Sequence, residues 1–481
     1  MTESANSARV RVNAAVIGGG QAGPALATAL ARDGDPVALF EGVQLGGTCV
    51  NSGCTPTKTL RKSARIAHLA RRAADFGVQV GEVTVDFAAA MARMADIVSA
   101  SRNGLTAWVE HTPNLTLVRA MATLDGREGE AFVIRAGDAT YVADRVYLNV
   151  GTRAVLPTVP GLDEVQPLIN DSLLALRELP AQLVILGGSY IGVELGQIFR
   201  RLGSAVTIIE TSGAIVSRED ADVSAALTAV LESEGVRIVT RVSGLVASGK
   251  SGARVTLGGT TGAMGETFEA TGSHLLVATG RRPNTESLGL ESVGVAMDAH
   301  GFVPVNGSLE TNVPGMFALG DVNRRGAFTH TSWQDHEIVL ANHRGGTRSV
   351  DGRVTTYALY SDPPIGRVGL NETAARRLMA TGRSFLVAAH QMRNVSRAKE
   401  EGETDGIIKL VIDADTHRFV GATVFGIGGD EIVQLISAQM AADAPYEVVR
   451  DALPIHPTVS EFLPTILGKL KPLAMSAGGQ G

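Results

Sequence analysis

The sequence predicts an α/β fold in which two Rossmann-like βαβ units are followed by a separate C-terminal α+β domain. Two segments share one pattern, where a buried apolar strand enters a helix through a glycine-rich turn and a second strand ends in an acid. From about Gly352 the pattern changes to alternating strands, such as "GIIKLVIDADTHRFVGATVFG", followed by "DEIVQLISAQMAADAP" with helical periodicity. The repeated pattern indicates an internal duplication of a nucleotide-binding unit.

The first unit is the segment "NAAVIGGGQAGPALATALARDGDPVALFE". Its predicted elements are a strand over residues 14–17, a turn at Gly18, Gly20 and Gly23, a helix over residues 24–31 and a strand over residues 37–40 that ends at Glu41. Glycines let a pyrophosphate approach the backbone, where the helix N-terminus offers unpaired N–H groups. The acid accepts hydrogen bonds from an adenosine ribose, so this unit predicts a dinucleotide site.

The second unit is the segment "QLVILGGSYIGVELGQIFRRLGSAVTIIE". Its predicted elements are a strand over residues 183–186, a turn at Gly187, Ser189 and Gly192, a helix to about Leu202 and a strand over residues 206–209 that ends at Glu210. Ser189 replaces the middle glycine, which weakens the motif. Because the Glu210 carboxylate suits a free 2′-hydroxyl and repels a 2′-phosphate, NADH is favoured over NADPH. The nearby Arg218 keeps the NADPH alternative open.

Three further buried runs, over residues 145–152, 274–284 and 315–322, are predicted strands. The composition describes a globular protein of several domains, with 481 residues, 44% hydrophobic residues and a net charge of −6. This charge gives no electrostatic footprint for nucleic acid, and no apolar run is long enough to span a membrane. The polar N-terminus predicts no signal peptide, and the tail "SAGGQG" is predicted to be disordered.

The only two cysteines, Cys49 and Cys54, lie in the segment "GGTCVNSGCTPTK". Two cysteines in one short loop cannot cross-link domains, so a cytoplasmic location is expected. Residues five apart in an ideal helix have Cα atoms about 8–9 Å apart, beyond the reach of a disulfide at about 7 Å. If the pair is bridged, Cys49 should therefore lie in a distorted first turn, helped by Gly53 and Pro56. The pair is either two inert thiols or a redox centre, and the flanking Gly, Thr and Lys residues favour the redox centre.

The order of motifs resembles that of the class I FAD-dependent pyridine nucleotide–disulfide oxidoreductases. The motifs are "GGTCVNSGC" with Lys58, "GGSYIGVE", "ATGRRPN", "ALGD" and "HPTVSE", and the resemblance covers residue 16 to about residue 467. Within the family, the chain looks most like mercuric-reductase-like and dihydrolipoamide-dehydrogenase-like members, and "GCTPTKTL" is also similar to the flavoenzyme of reactive-chlorine resistance. The motif "NVGT" departs from the usual "ATG", which leaves the adjoining FAD contacts open.

The resemblance implies a redox-active disulfide between Cys49 and Cys54 that faces the flavin. Cys54 would be the thiolate nearest the flavin, and Cys49 the interchange thiol that attacks substrate. His456 would act as the base and Glu461 would orient it. In this family the histidine comes from the other subunit, so a homodimer with a shared active site is expected.

The resemblance also implies two cofactors, FAD and NAD(P)H, with NADH favoured. Lys58 and Glu194 match an ion pair beside flavin nitrogen 5, Tyr190 matches a side chain that covers the nicotinamide pocket, and Asp321 matches a ligand of the FAD ribitol. The residues expected to contact the cofactors are Gly18, Gly20, Gln21, Ala22, Gly23, Glu41, Gly47, Thr48, Lys58, Ala122, Gly151, Gly187, Ser189, Tyr190, Ile191, Glu194, Glu210, Gly280, Gly320 and Asp321. No metal-ligating set is predicted.

The expected domains are a first part of an FAD-binding domain (1–155), an NAD(P)-binding domain (156–282), a return segment to the FAD-binding domain (283–350) and a dimerisation domain (351–481). The acceptor is expected to be a disulfide or a soft metal ion. Mercuric or cupric ion reduction in metal or oxidant stress, and an E3-like dihydrolipoamide dehydrogenase subunit, are the alternatives. Dedicated mercuric reductases carry a second cysteine pair near the C-terminus, and the final "LGKLKPLAMSAGGQG" contains no cysteine.

Overall fold

The computed structural model describes residues 9–475, so the predicted disorder of the tail falls outside the described residues. The strands are β1 (Arg9–Ile17), β2 (Val37–Phe40), β3 (Leu115–Val118), β4 (Ala122–Glu128), β5 (Ala131–Ala136), β6 (Ala139–Leu148), β7 (Thr152–Ala154), β8 (Gln182–Leu186), β9 (Ala205–Ile209), β10 (Val236–Val239), β11 (Ser243–Lys250), β12 (Arg254–Thr261), β13 (Glu266–Gly272), β14 (His274–Val277), β15 (Arg281–Pro283), β16 (Met316–Ala318), β17 (Thr356–Leu359), β18 (Ile365–Gly369), β19 (Phe385–Gln391), β20 (Ile407–Asp413), β21 (Phe419–Phe425) and β22 (Lys471–Pro472). The α-helices are α1 (Gly23–Arg32), α2 (Gly47–Asn51), α3 (Cys54–Arg71), α4 (Phe87–Glu110), α5 (Leu162–Val165), α6 (Asn170–Leu173), α7 (Tyr190–Leu202), α8 (Ala221–Ser233), α9 (Thr329–His343), α10 (Glu372–Met379), α11 (Ser396–Glu400), α12 (Gly429–Ala441), α13 (Glu447–Arg450) and α14 (Phe462–Leu467).

The first unit forms a sheet in the order β3-β2-β1-β6-β5-β4, and β16 also pairs with β6. Strands β3, β2, β1, β6 and β16 run parallel, whereas β5 and β4 add an antiparallel edge. All four residues of β2 are buried, as expected of a strand that is covered on both faces. The predicted strand over residues 14–17 is the buried half of β1, whose outer half is more exposed.

The second unit repeats this plan with a four-stranded parallel sheet in the order β10-β9-β8-β14. A three-stranded antiparallel sheet, β11-β12-β13, follows it in the chain. Gly18 and Gly187 occupy equivalent places after β1 and β8, with φ of +106° and +115°. Such φ values favour glycine, so the two turns are duplicated in backbone conformation as well as in sequence.

The C-terminal part contains a six-stranded antiparallel sheet in the order β17-β18-β21-β20-β19-β22, against which α12 packs. Its core is a cluster of aliphatic residues contributed by both the sheet and the helices. The predicted fold class, two Rossmann-like units and a C-terminal α+β domain, is confirmed. Within residues 9–475, no helix is both long enough and apolar enough to cross a bilayer.

Three predicted strands are wrong in their bounds, because each ends before the glycine that was included in it. Strand β6 ends at Leu148, β14 ends at Val277, and β16 covers only Met316–Ala318 before a 3-10 turn over Gly320–Asn323. The excluded glycines are Gly151, Gly280 and Gly320, with φ of +65°, +150° and +73°. A positive φ turns the chain out of the strand, so these segments become loops where their strands end.

Candidate active site

The two cysteines lie on two short successive elements. Cys49 lies within α2, and Cys54 is the first residue of α3. The two cysteines do not share one helix, because the helix breaks completely at Ser52 and Gly53. Gly53 has φ of −130° and ψ of −110°, far from helical values. Both cysteines are free thiols, so the structure describes the reduced dithiol.

The cysteine segment packs directly on the first glycine turn. A Cβ atom at Gly47 would lie 2.9 Å from the Cα of Gly20, and one at Gly46 would lie 2.5 Å from the Cβ of Val50. Real Cβ contacts are not this short, so both positions require glycine for close approach. The dithiol is therefore fixed next to the predicted pyrophosphate-binding turn.

The two thiols have opposite acidities. A hydrogen bond from the Cys49 thiol is the main influence that lowers the pKa of Cys54 to about 6, and it outweighs the opposing effect of burial. The Thr329 hydroxyl, 3.2 Å from the Cys54 sulfur, and the positive charge of Lys58 lower this pKa further. The same hydrogen bond to Cys54, together with burial, raises the pKa of Cys49. At neutral pH the pair therefore holds a thiolate at Cys54 and a proton on Cys49.

Lys58 and Glu194 form an ion pair between α3 and α7, with 2.8 Å between the Lys58 Nζ and the Glu194 Oε2 atoms. The other oxygen of Glu194 accepts a hydrogen bond of 2.8 Å from the main-chain N–H of Tyr360. The Lys58 ammonium also lies 4.4 Å from the centre of the Tyr360 ring. The two side chains, predicted from separate motifs, are thus brought together by the packing of both units and the C-terminal part.

The first glycine turn has the geometry of an anion cradle. A Cβ atom at Gly23 would lie 2.1 Å from the carbonyl oxygen of Gly18, so the turn tolerates no side chain there. Helix α1 has no acidic residue in its first turn. Because the Gly23 N–H bonds to the Asn149 side chain and Pro24 has no N–H, the groups that would hold a phosphate are the N–H groups of the preceding turn and of Ala25. The Glu41 carboxylate closes the turn by accepting hydrogen bonds from the N–H groups of Gly19 (2.8 Å) and Val43 (2.7 Å). These residues fit the pyrophosphate and ribose of FAD.

The second turn repeats these contacts atom for atom. The Glu210 carboxylate accepts hydrogen bonds of 2.7 Å from the N–H groups of Gly188 and Ser212. A Cβ atom at Gly192 would lie 1.9 Å from the carbonyl oxygen of Gly187. Ser189 precedes α7 without capping it, and the first turn of α7 contains no acid. The replacement of the middle glycine by Ser189 therefore leaves the anion cradle intact.

Asp321 lies in a polar network that joins four motifs. Its Oδ2 atom accepts a hydrogen bond of 2.8 Å from the Thr152 hydroxyl, which in turn accepts one of 2.8 Å from Arg281. Arg281 also donates to the Thr48 hydroxyl over 3.3 Å. Burial raises the pKa of Asp321, and the Thr152 hydrogen bond opposes this effect. Sequence reasoning missed Thr152 and Arg281, although both lie in the quoted motifs "NVGT" and "ATGRRPN".

Asn149, the unusual first residue of "NVGT", is also a residue that the sequence did not single out. Its buried side chain accepts a hydrogen bond of 2.9 Å from the Gly23 N–H and donates one of 3.0 Å to the Leu319 carbonyl. It therefore ties the first glycine turn to the "ALGD" loop. The departure from the usual motif thus adds a polar side chain next to the cradle.

The other predicted cofactor residues lie around the same two turns or along the sheet edges. Ala22 is buried before α1, Gln21 and Ile191 are half-buried, Ala122 begins β4, and Gly151 and Gly280 precede β7 and β15. Tyr190 begins α7, and its hydroxyl lies 3.4 Å from the Glu219 Oε1 atom, with its ring 5.4 Å from that of Tyr357. Burial raises the pKa of Tyr190.

His456 and Glu461 form a pair at the surface of the C-terminal part. The His456 Nδ1 atom lies 2.9 Å from a Glu461 oxygen, and the histidine side chain is 75% exposed. Its neighbours Leu453 and Ile455 are 97% and 79% exposed. An exposed imidazole, held by a largely buried carboxylate and surrounded by exposed aliphatic side chains, is typical of an interface.

The fold and the site define a dinucleotide-dependent dithiol oxidoreductase, with two anion cradles and one acidic thiol. Comparison with known proteins identifies the group: the chain belongs to the pyridine nucleotide-disulphide oxidoreductase family, whose model matches residues 12–335. The dimerisation domain of the same family matches residues 355–466. The family that the motifs predicted is confirmed, and so is the class of enzyme. Members of this family are flavin-dependent oxidoreductases that use FAD and NAD(P).

Relatives with different substrates match the chain almost equally well. The chain is 31% identical to the probable pyridine nucleotide-disulfide oxidoreductase RclA of Escherichia coli, covering 96% of this chain and 100% of that protein. It is 33% identical to a mercuric reductase of Streptomyces lividans (93% and 94% covered) and 30% identical to a dihydrolipoyl dehydrogenase of Bacillus subtilis (93% and 96% covered). A solved structure of the HOCl-induced flavoprotein disulfide reductase RclA from Escherichia coli superposes with a TM-score of 0.83 at 31% identity, covering 95% and 100% of the two chains.

Proposed function

We propose that the protein passes electrons from NAD(P)H through FAD to the Cys49–Cys54 pair and then to a disulfide or soft-metal acceptor. The observation that carries this proposal is the position of the two neighbouring thiols, which are packed against the first glycine turn and have the Thr329 hydroxyl 3.2 Å from the Cys54 sulfur. The lowered pKa of Cys54 supports it. Inert buried thiols have raised pKa values, whereas a pKa of about 6 belongs to a reactive cysteine.

The residues around the first unit would hold FAD, with the pyrophosphate at the Gly18–Gly23 turn, the ribose at Glu41 and the ribitol at Asp321. Bound FAD would supply the two-electron relay between the nicotinamide and the cysteines. The second turn and Glu210 would hold NADH in preference to NADPH, because a carboxylate repels a 2′-phosphate. Tyr190 would cover the nicotinamide pocket.

The protein's own residues account for the exchange with a disulfide acceptor. Loss of the proton from Cys49 to His456 of the partner subunit creates the attacking thiolate, and Glu461 orients the imidazole. The Cys49 sulfur bonds to one acceptor sulfur and displaces the other, which leaves as a thiol after taking that proton. Cys54 then attacks the Cys49 sulfur, which forms the internal disulfide and releases the second acceptor sulfur. The acceptor gains two electrons and the pair loses two.

The homodimer that this scheme requires is supported by the dimerisation domain and by the exposed His456 pair. A reducing, cytoplasmic compartment is supported by the small number of cysteines.

A metal ion is a second candidate acceptor. One solved structure of RclA, 30% identical to this chain, is a Cu(II) complex, and the Streptomyces relative is a mercuric reductase. Thiolates are soft ligands that suit such ions. Since Cys49 and Cys54 are the only cysteines, an ion would have to reach this pair directly. A role as a dihydrolipoyl dehydrogenase rests on the similarity to the Bacillus relative.

The decisive experiment mixes the NADH-reduced enzyme anaerobically with lipoamide, glutathione disulfide, Hg(II) or Cu(II) and follows reoxidation by stopped-flow absorbance. We expect at least one acceptor to reoxidise the reduced wild type quickly. The same acceptor should not reoxidise the Cys49→Ser and Cys54→Ser variants at that rate. The proposal is overturned if the only fast acceptors are oxygen and quinones and their reduction survives loss of both cysteines.

A further inference from the structure

Helices α3 and α7 face each other with matching rows of polar side chains. On α3 the row is Lys58, Arg61 and Arg65, and on α7 it is Glu194, Gln197 and Arg201. Both rows have the spacing i, i+3, i+7, which places their members on one side of a helix. A three-residue segment of the C-terminal part, residues 360–362, which we call the strap, contacts members of both rows.

The first residue of the strap touches both members of the ion pair. The Tyr360 N–H donates to the Glu194 Oε1 atom, while the Lys58 ammonium bonds to Oε2 and lies over the Tyr360 ring, 4.4 Å from its centre. A cation over an aromatic face is attracted by the ring quadrupole. The Lys58 side chain is 32% exposed, so water competes for its ammonium on the open side.

The other two strap residues are fixed firmly. The Ser361 carbonyl accepts a hydrogen bond of 2.7 Å from Arg61. The main chain of Asp362 exchanges two hydrogen bonds of 2.8 Å with the Gln197 amide. The Asp362 carboxylate, 4% exposed, pairs with arginines of both helices, namely Arg61, Arg65 and Arg201. Tyr360 is thus attached to a segment that is firmly held between the two helices.

We propose that Tyr360 is a positioning residue, whose ring holds the Lys58 ammonium in place beside Cys54. The inference rests on the proposed function, because the Lys58–Glu194 ion pair that Tyr360 contacts belongs to the proposed active site. Lys58 is one of the groups that stabilise the Cys54 thiolate. Without the Tyr360 ring, the Lys58 ammonium would turn toward water and would stabilise the Cys54 thiolate less. The titratable groups that act on Cys54 or Tyr360 are Cys49, Lys58, Glu194, Asp430 and Glu431.

The test uses the full-length, FAD-loaded protein in a Cys49→Ser background, so that Cys54 is the sole thiol. The readout is the long-wavelength absorbance that a thiolate next to oxidised flavin produces, titrated against pH. The variants are Tyr360→Met, which fills space without an aromatic face, and Tyr360→Phe, which keeps the ring. Lys58→Met and the Lys58→Met/Tyr360→Met double variant complete a double-mutant cycle. Melting temperature and FAD content are measured first, and Tyr360→Leu serves if Tyr360→Met does not fold.

We expect Tyr360→Met to raise the titration midpoint by about 0.5, which is about a three-fold smaller thiolate fraction below the midpoint. Tyr360→Phe should match the parent, and Tyr360→Met should add nothing to Lys58→Met. The inference is overturned if Tyr360→Met leaves the midpoint unchanged, if Tyr360→Phe shifts it equally, or if Tyr360→Met still shifts it without Lys58. Absence of the absorbance band from the parent at every pH would instead overturn the proposed placement of Cys54 next to the flavin.

Discussion

Replacing Thr329 by valine should make Cys54 a weaker acid. The Thr329 hydroxyl lies 3.2 Å from the Cys54 sulfur and lowers its pKa. Thr329 begins α9, some 275 residues away in the chain, and its contact with Cys54 comes only from packing. Valine has nearly the same shape as threonine and removes only the hydroxyl donor.

The magnitude follows from the energy of a hydrogen bond to a charged group. Such bonds contribute about 1.5–3 kcal/mol, and a sulfur acceptor places this one at the lower end. At 1.36 kcal/mol for each tenfold change in the ionisation constant, the midpoint should rise by about 1. Because the pKa of Cys54 is about 6, the wild-type thiolate is lost as the pH falls through 6, and in the variant it is lost nearer 7.

The assay is a pH titration of the thiolate–flavin absorbance, or of the rate of alkylation by iodoacetamide, in the Cys49→Ser background. The predicted quantity there is the shift of the midpoint relative to the Cys49→Ser parent, because that parent lacks the Cys49 thiol that lowers the wild-type pKa most. Thr329→Ser is the matched control, since it keeps the hydroxyl and should titrate like the parent. A valine variant that titrates like the parent, or a serine variant that shifts as far as the valine variant, would show that the Thr329 hydroxyl does not stabilise the Cys54 thiolate.

Three other substitutions test the remaining features. Asn149→Ala leaves the buried Gly23 N–H and the Leu319 carbonyl without their side-chain partner. We expect the free energy of unfolding to fall by about 2–3 kcal/mol and FAD to be lost faster, measured by thermal melting and by retained flavin. An unchanged melting temperature would contradict this. Asp362→Asn breaks a buried charge cluster and should cost about 3–5 kcal/mol in urea unfolding, whereas Asp144→Asn, at an exposed pair, should leave the midpoint nearly unchanged. Glu210→Ala removes about 1 kcal/mol of repulsion between the carboxylate and the 2′-phosphate of NADPH, so the ratio of kcat/KM for NADH to that for NADPH should fall about five-fold. A constant ratio would show that Glu210 does not select the nucleotide.

Much of the fold could be predicted from local sequence patterns, because these patterns follow from structural requirements that involve only a few neighbouring residues. A parallel strand that is covered on both faces must be apolar, and a turn that meets a phosphate must lack side chains. The same requirements apply at Gly18 and at Gly187, which is why the duplication can be recognised from the amino-acid sequence. The strand ends were predicted less well, because Gly151, Gly280 and Gly320 leave their strands through positive φ values that an apolar run does not record.

The two nucleotide-binding units, the fold class and the family could be predicted from the sequence, which also favoured Cys49 and Cys54 as one redox centre. The surroundings of these two cysteines could not be predicted, because they depend on packing between distant segments. Thr329 meets Cys54 across 275 residues, and Asn149 meets Gly23 across 126. Tyr360 reaches the Lys58–Glu194 pair from the C-terminal part. Such contacts have no periodicity in the chain, because they arise where separately folded elements pack together.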